Sequence, residues 1–373
     1  MKHLPLGIQT FKRIIEENRV YVDKTETIFK LFSEGGRYYF LSRPRRFGKS
    51  LLVSTLKEIF QGNRELFKGL WIYDKITWEQ YPVIHIDFSG LIYGSKEELI
   101  DTLNYFISEH SELYGIPLKD NTYDKKFREL VTKLSSKNKV VVLIDEYDKP
   151  IVDYFEKPEI AMENRDTLRN FFSTFKGLDE YIQFVLITGG SKFSNASLFS
   201  GLNNFTDITI SNKYSTLLGF TDEELQCYFE DQINDFCKSE NIQKEPLLQT
   251  IKKMYNGYSW DGINFVYNPH SILNLFDQKS FNNYWFTSAT PTFLIKQIRK
   301  LPIPLEDIEN YQADQTLFEF QDVDRISVYS LLFQTGYLTI KSIEKISLTS
   351  KLYHLSYPNM EVKESFLKHL SSE

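Results

Sequence analysis

A basic turn between an apolar run and a helical pattern is the feature that most constrains how this chain can fold. The run Tyr38–Leu41 is typical of a buried strand, and Leu51–Phe60 carries apolar residues at helical spacing. Because a strand that turns directly into a helix leaves backbone N–H groups unpaired at the helix N-terminus, this arrangement favours a bound anion. The sequence therefore predicts a phosphate-binding loop formed by Arg43, Pro44, Arg45, Arg46, Phe47, Gly48, Lys49, Ser50 and Leu51.

The end of this loop has the residues that a triphosphate and its magnesium ion require. Gly48 lets the backbone close around a phosphate, Lys49 can reach the β and γ phosphates, and the Ser50 hydroxyl can coordinate Mg²⁺. The usual pattern has a further glycine at the position that Arg43 occupies here. The loop alone is therefore a degenerate match, and a solvated basic turn is the alternative interpretation.

A second motif, Lys139–Asp148, supplies the acids that such a loop needs. A run of aliphatic residues, typical of a strand buried on both faces, leads into Asp145 and Glu146. Carboxylates there lie at the crevice where open α/β sheets bind ligands. Asp145 is predicted to hold the hydration shell of Mg²⁺, and Glu146 to orient or deprotonate the attacking water. The acids could simply end a strand, but the two motifs together favour a nucleotide site.

The composition limits the class of protein. The chain has 373 residues, of which 42% are hydrophobic, so two or three domains are expected. A formal charge of −6 argues against a surface devoted to nucleic acid, and any such contact would be local. The two cysteines, Cys227 and Cys237, have no partners at metal-ligand spacing. Since no apolar run approaches the length that spans a bilayer, we expect a cytoplasmic protein without membrane contact.

Strand-like and helix-like segments alternate through the first part of the chain, which predicts an α/β fold with a mostly parallel sheet. Helical spacing is found in Lys96–Leu113, Tyr123–Leu134 and Arg165–Phe175. Two short helices, Phe11–Asn18 and Lys24–Phe32, are predicted before the first strand and beside the crevice. The five predicted strands are Tyr38–Ser42, Val83–Phe88, Val140–Asp145, Ile182–Thr188 and Thr206–Ile210.

After about Leu218 the pattern predicts helices, until a short hairpin near the end. Thr221 followed by Glu224 has the spacing of a capping box, and Asn268–Ser271 predicts another helix start. Helical stretches at 293–299 and 325–333, followed by strands at 337–341 and 351–357, indicate a winged-helix-like module. The predicted boundaries are 1–218 for a P-loop core with a helical leader, 219–283 for a helical lid, 284–358 for the module and 359–373 for the start of a C-terminal segment.

Four segments together resemble a bacterial family of AAA-ATPase-like proteins: Arg43–Ser50, Ile144–Asp148, Phe184–Phe193 and Tyr267–Pro269. Members of this family are commonly fused to a C-terminal PD-(D/E)XK-type nuclease domain. The loop is also similar to that of archaeal and signal-transduction P-loop ATPases, in which an Arg-Arg-x-Gly-Lys sequence does the same job. The similarity extends over nearly the whole chain through Tyr21–Thr25, Phe199–Asn203, Thr206–Ile208, Leu218–Thr221, Tyr284–Trp285 and Gly336–Thr339.

The resemblance implies a P-loop NTPase core that uses ATP and Mg²⁺. Its sheet would have the strand order 5-1-4-3-2, with Ile182–Thr188 inserted between the loop strand and the acid strand. Polar residues at the end of that strand would face the γ-phosphate, and Thr188 is the candidate for this sensing position. A strand-end turn built on Gly189–Gly190 is the alternative.

The resemblance also assigns residues outside the core motifs. Asp23 and Lys24 match the leader that lies near the adenine and ribose in similar ATPases. Pro269 matches a lid proline that packs against the base, and His270 would report on the phosphates. Asn268–Pro269 is equally an ordinary helix start.

The family's nuclease domain would begin near the end of this sequence. No Asp…Glu-x-Lys constellation with the sequence that should follow it is present, so no nuclease activity is predicted for these residues. We expect the chain to be part of a longer protein or a protein that lost its effector.

The principal hypothesis is an Mg²⁺-dependent ATPase that binds ATP, hydrolyses it slowly and acts as a molecular switch. Its winged-helix-like module would regulate a C-terminal nuclease-type effector or engagement with DNA. One alternative is a nucleic-acid-binding winged-helix protein with a vestigial P-loop, and another is a small-molecule kinase. A homo-oligomer is compatible with the sequence, which does not place an arginine finger.

Overall fold

A computed structural model describes residues 1–192, 205–285, 308–319 and 327–371 of the chain. It confirms an α/β fold built on a sheet of five parallel strands. The loop strand and the acid strand are buried along their whole length, as expected where helices cover both faces. The strands are β1 (Tyr38–Ser42), β2 (Val83–Asp87), β3 (Val140–Asp145), β4 (Ile182–Gly189) and β5 (Thr206–Asp207).

The strand pairing places the predicted motifs together at the carboxyl ends of the parallel strands. Neighbouring strands follow the order β2-β3-β4-β1-β5, which read from the opposite edge is 5-1-4-3-2. β4 pairs with both β1 and β3, so it lies between the loop strand and the acid strand. Ser42 is paired with Gly189, and Ile144 with Ile187. The carboxyl ends of β1, β3 and β4 therefore meet, and the segments that follow them share one crevice.

Helices cover the sheet where apolar residues recur at helical spacing. In the helix that spans Tyr123–Leu134, the buried residues Phe127, Leu130, Val131 and Leu134 occupy one face. The helices of this part are α1 (Phe11–Glu16), α2 (Thr25–Ser33), α3 (Lys49–Phe60), α4 (Lys96–Leu113), α5 (Tyr123–Leu134), α6 (Lys149–Val152) and α7 (Pro158–Ser173), with 3-10 turns at Arg64–Phe67, Trp71–Asp74 and Asn212–Tyr214.

Four further helices lie in the range of the predicted lid, by which name they are called below, and have a buried core of their own. The first of them starts with the predicted capping box, in which Thr221 and Glu224 each accept the other's backbone N–H through their side chains. Val20 and Val22 of the leader are buried in the lid core, so the leader joins the lid to the sheet domain. The lid helices are α8 (Asp222–Tyr228), α9 (Glu230–Glu240), α10 (Lys244–Tyr255) and α11 (Pro269–Gln278).

The last described part contains a three-stranded antiparallel sheet of order β6-β8-β7. The sequence predicted the two hairpin strands but not β6, because three residues are too short for a recognisable alternation. A helix followed by a hairpin is compatible with a winged helix, and that assignment stays a prediction. The elements are β6 (Tyr311–Ala313), a 3-10 turn (Gln315–Phe318), α12 (Val328–Thr335), β7 (Thr339–Lys345), β8 (Lys351–Ser356) and α13 (Met360–Ser371).

Some predicted segments lie outside the described residues, and one predicted strand is shorter than expected. The similarity at 193 and 199–203, the helical stretch at 293–299 and the start of the next one at 325–326 lie outside the described residues. β5 ends at Asp207 rather than at Ile210, because the Thr209 hydroxyl accepts the Ser42 N–H where a further backbone pair was expected.

None of the helices in the described ranges is both long and apolar enough to cross a membrane.

Candidate functional site

The turn between β1 and α3 has the backbone of an anion-binding loop. Gly48 caps α3 with a φ of +92°, a left-handed conformation that glycine adopts without steric cost. Arg46 is also left-handed, with a φ of +69°. The helix begins at Lys49, so the N–H groups of its first turn have no intrahelical carbonyl to bond. A negatively charged group is favoured in front of them.

Lys49 lies at the centre of this loop. Its ammonium donates to the carbonyl oxygens of Arg43 at 2.9 Å and Pro44 at 3.1 Å, and the residue is only 5% exposed. Burial lowers the pKa of Lys49, while the carboxylates of Glu146 and Asp145 oppose that shift. The ammonium is thus held by loop carbonyls on one side and attracted by acids on the other.

A cavity of about 400 Å³ opens beside Lys49, between the loop, the leader and the lid. Glu146, which follows β3 directly, lines the same cavity as Lys49 and Ser50. The basic loop and the acid strand therefore face one another across a single space. The predicted nucleotide-binding residues that line the cavity are Arg45, Arg46, Phe47, Gly48, Lys49, Ser50, Leu51 and Pro269.

Apolar side chains of the leader and the lid form much of the remaining wall. Beside them Lys24 donates from its ammonium to the Thr216 carbonyl at 2.9 Å and to the Glu224 carboxylate at 2.6 Å. This ion pair joins the leader to the first lid helix at the cavity wall. The apolar lining comprises Ile8, Ile14, Val20, Tyr21, Val22 and Ile28 from the leader, and Leu217, Leu218, Phe220, Phe229 and Leu273 from the lid and the segment before it.

The two acids after β3 have different environments. Asp145 is 2% exposed, and its carboxylate accepts the Thr188 hydroxyl at 2.5 Å and the Glu146 N–H at 3.0 Å. Glu146 has a left-handed backbone, with a φ of +49°, and its side chain is half-buried in the cavity wall. Burial raises the pKa of Glu146, while Lys49 opposes the shift. Asp145 is fixed in one orientation, whereas Glu146 is the acid that faces the cavity.

Thr188 is the candidate for the sensing position. It is fully buried, it does not line the cavity, and its hydroxyl is bonded to Asp145. The hydroxyl is therefore engaged by Asp145 in this structure, and direct contact with a γ-phosphate stays a prediction. Because β4 lies beside β3, the hydroxyl reaches the neighbouring acid before it reaches the crevice.

Two arginines remain at the mouth of the cavity. Arg45 is half-buried and Arg46 exposed, and neither guanidinium forms an ion pair within the described part of the chain. His270, at the start of α11, lines the same space, and burial together with the Arg46 charge lowers its pKa. The loop side of the cavity is therefore cationic.

The side chains of Arg43 and Pro44 are directed away from the cavity, and the predicted contact of these two loop residues with a nucleotide stays a prediction. The Arg43 guanidinium is buried, donates to the Thr209 carbonyl at 2.7 Å and lies 3.9 Å from the centre of the Trp260 ring. The Pro44 ring packs so closely on Gly336 that a Cβ there would lie 2.9 Å from it. Both residues anchor the loop to the rest of the fold, and only their carbonyls turn towards Lys49.

Asp23 is bonded to backbone groups of the protein, and its predicted place near the adenine and ribose stays a prediction. Its carboxylate accepts the backbone N–H of Thr25 at 2.8 Å and of Trp71 at 2.7 Å, and it does not line the cavity. It therefore orders the start of α2, while the neighbouring Lys24 is the leader residue that reaches the cavity.

Sequence reasoning missed Trp285 as a neighbour of the loop. Its indole N–H donates to the Arg45 carbonyl at 3.2 Å, across 240 residues of sequence. The pair Tyr284–Trp285 carried part of the family resemblance, but no spacing rule connects positions so far apart.

Comparisons with known proteins place the chain in a family. The profile of a family described as "Predicted AAA-ATPase" matches residues 5–199. An uncharacterized protein in the vnfD 5' region of Azotobacter chroococcum mcd 1 is 40% identical over 368 residues, which cover 98% of this chain and 69% of that protein. The matched range contains the loop, Asp145 and Glu146, which is the acid that lines the cavity. The chain therefore belongs to the predicted AAA-ATPase family.

Proposed function

We propose that this protein binds ATP with Mg²⁺, hydrolyses it slowly and works as a molecular switch. The observation that carries the proposal is that Lys49, Ser50 and Glu146 line one cavity. A buried lysine at a helix N-terminus opposite a strand-end carboxylate is the arrangement that phosphoryl transfer uses. Membership of the family supports the same activity.

The residues present fit a nucleoside triphosphate. Lys49, Arg45 and Arg46 give the loop side three cationic groups for phosphate oxygens, and guanidinium groups suit these oxygens through paired hydrogen bonds. The apolar wall offers apolar contacts to a base, with Pro269 among its residues.

Ser50 and Asp145 would hold Mg²⁺, Asp145 through water because its carboxylate does not reach the cavity wall. When bound, the ion would neutralise charge on the phosphates. Glu146 would accept a proton from the attacking water, and its raised pKa brings its basicity closer to neutral pH.

The switch would depend on the lid. Pro269 and His270 of the lid helix line the cavity together with the loop, so a lost γ-phosphate would change the contacts that hold the lid. Lys192, shortly after β4, bonds to the C-terminal module: its N–H donates to the Gln334 side chain at 2.8 Å and its ammonium to the Phe318 carbonyl at 2.8 Å. This contact would carry the nucleotide state to the module and from there to a nuclease-type effector or to DNA.

Binding and hydrolysis can be separated by two substitutions. Lys49→Ala is expected to abolish the thermal stabilisation by Mg²⁺-ATP, because it removes the buried ammonium that faces the phosphates. Glu146→Gln is expected to retain that stabilisation and to lose phosphate release, because the amide cannot accept the proton of the water. Lys57→Ala, on the same helix but outside the cavity lining, is the matched control and should behave as the wild type. A wild-type chain without any shift on addition of Mg²⁺-ATP would overturn the proposal.

A nucleic-acid-binding protein with a vestigial P-loop is the second candidate, and the hairpin favours it. Lys345 and Lys351 are paired across β7 and β8 and are both exposed, so they present two positive charges at the hairpin. Salt-sensitive binding to duplex DNA that survives Lys49→Ala and is lost in Lys345→Ala/Lys351→Ala would support it.

Sedimentation with and without Mg²⁺-ATP tests the predicted homo-oligomer.

A further inference from the structure

Glu361 is a buried carboxylate that the proposed reaction does not use. It lies in the first turn of α13 and is 0% exposed. One carboxylate oxygen accepts the backbone N–H of Trp285 at 2.7 Å, and the other accepts the Ser271 hydroxyl at 2.8 Å. Among the described residues no cation forms an ion pair with it. A carboxylate of this kind is expensive to keep in a protein interior, so its presence calls for a functional explanation.

The two donors connect Glu361 to both sides of the nucleotide cavity. Ser271 lies in the first turn of α11, directly after Pro269 and His270, which line the cavity. Trp285 reaches the other side, because its indole N–H donates to the Arg45 carbonyl in the phosphate-binding loop at 3.2 Å. The carboxylate therefore links the loop, the lid and the C-terminal helix.

Trp285 has little freedom to move away from the loop. The residue is 0% exposed, and its ring lies edge-on to that of Tyr337 at 5.3 Å between centroids. A Cβ on Gly336 would lie 3.1 Å from the indole, so the backbone of the C-terminal module packs directly on the ring. The ring is fixed by packing and its backbone by Glu361, which leaves the indole N–H aimed at Arg45.

We propose that Trp285 and Glu361 are positioning residues that hold the phosphate-binding loop and the start of the lid helix in the arrangement that binds nucleotide. The C-terminal helix α13 is then part of the nucleotide-binding machinery, although it lies more than 300 residues after the loop in sequence. This inference rests on the proposed function, since it concerns the regulation of the same site.

The first experiment removes the indole N–H and keeps an aromatic ring at this position, although phenylalanine is smaller than tryptophan. Trp285→Phe should weaken Mg²⁺-ATP binding about fivefold, the effect of one lost hydrogen bond. The matched control is Trp78→Phe, because the Trp78 indole also donates to a backbone carbonyl, that of Tyr73 at 3.0 Å, but lies outside the cavity lining. The control should lose a similar bond and keep wild-type affinity. The dissociation constants can be measured by isothermal titration calorimetry.

The second experiment tests the carboxylate by graded substitution. Glu361→Ala removes both acceptors and should weaken Mg²⁺-ATP binding at least as strongly as Trp285→Phe. Glu361→Gln keeps one oxygen acceptor and should recover part of the affinity. The double variant Trp285→Phe/Glu361→Gln should lose less affinity than the two single losses combined, because both residues act through the same loop carbonyl.

The outcomes separate this inference from the proposed function. Wild-type affinity in Trp285→Phe and in Glu361→Gln, with ATP binding intact in the wild type, would overturn the positioning role alone. Equal losses in Trp285→Phe and Trp78→Phe would also overturn it, because they would indicate a general effect on the fold. A wild-type chain that binds no nucleotide would overturn the proposed function and this inference with it.

Discussion

Asp145, which we propose helps to hold Mg²⁺, shows how a neighbouring hydroxyl can fix the orientation of a carboxylate. Thr188 is fully buried, and its hydroxyl donates to the Asp145 carboxylate, which is itself almost fully buried. An acid held in this way presents one orientation to a metal ion and its water. Groups behind a metal ligand commonly change metal affinity or activity 10- to 100-fold when they are removed, roughly the range expected here.

Thr188→Val should therefore lower ATP hydrolysis about tenfold and raise the Mg²⁺ concentration needed for half-maximal rate. ATP binding without Mg²⁺ should change little, because Thr188 does not line the cavity. The matched control is Thr167→Val, which removes a buried hydroxyl bonded to the Glu163 carbonyl within α7. An unchanged Mg²⁺ dependence in Thr188→Val would contradict the role assigned to this hydroxyl.

The buried carboxyl group of Glu361 should make the free energy of unfolding depend on pH. Burial raises the pKa of Glu361 to about 7, above its ordinary value of 4.5. The folded state therefore binds the proton more tightly than the unfolded state between these values, so the contribution of Glu361 to stability is lost as the pH rises through 7. The difference corresponds to about 3 kcal/mol of unfolding free energy.

Glu361→Gln should accordingly raise the free energy of unfolding relative to the wild type at pH 8, by up to about 3 kcal/mol, and have little effect at pH 5. Urea unfolding at both pH values measures this. Glu364→Gln, an exposed position on the same helix, serves as the control. A variant that gains stability at pH 8 while losing ATP affinity would show that the carboxylate is kept for binding. Equal stability of Glu361→Gln and wild type at pH 8 would refute the pH argument.

At the scale of elements, the start of α3 depends on the backbone of Gly48. Its φ of +92° is unfavourable for any residue with a Cβ, yet a Cβ there would meet no atom within 4 Å. Substitution by alanine therefore strains only the backbone and should cost about 1 kcal/mol of stability.

Gly48→Ala should also weaken Mg²⁺-ATP binding, because relief of that strain would move the N–H groups that open α3. Gly115 gives a matched control: its φ is +65° and it too has open space around it, but it follows α4 away from the cavity. Gly115→Ala should lose similar stability and retain full affinity. Equal affinities of the two variants would indicate that the loop tolerates a shift of its backbone.

Elements with a strong local pattern could be predicted from the sequence. The bounds of β1, β3, α4 and α5 agree with the predictions. The two strands are continuous apolar runs and the two helices have apolar residues at helical spacing, so neighbouring residues alone show the pattern. The strand β6 and the early end of β5 at Asp207 could not be predicted. Their pairing depends on partners far along the chain, such as the Thr209 hydroxyl that replaces a backbone acceptor for Ser42.

In the candidate site, too, some residues could be predicted from local sequence and others could not. Lys49 and Glu146 could be found because a glycine-lysine-serine turn and a strand ending in acids are local signals. The direction of the Arg43 side chain could not be predicted, since it depends on Trp260, a residue of the segment between α10 and α11. Trp285 escaped prediction for the same reason. A contact between distant positions has no period that a single sequence displays.

At the scale of the whole molecule, the buried apolar residues of the described ranges form two cores. The larger one combines the sheet domain with the C-terminal module, and the smaller one belongs to the lid helices and takes in Val20 and Val22 of the leader. The cavity has walls from both sides. A nucleotide that touches both walls would stabilise their closed arrangement by its binding free energy.

The Lys24–Glu224 ion pair is one polar contact that should hold these two parts together without nucleotide. Its side chains are only 12% and 21% exposed, so loss of one partner leaves a partly buried charge, at a cost of about 3 kcal/mol. Lys24→Met should therefore increase amide hydrogen exchange in α8–α11 much more than in the central strands, and Mg²⁺-ATP should restore part of the protection. Lys30→Met, which breaks an exposed pair with Glu26 on α2, should leave the exchange of the lid unchanged. Uniform faster exchange in both cores of Lys24→Met would mean that the lid and the sheet domain open as one unit.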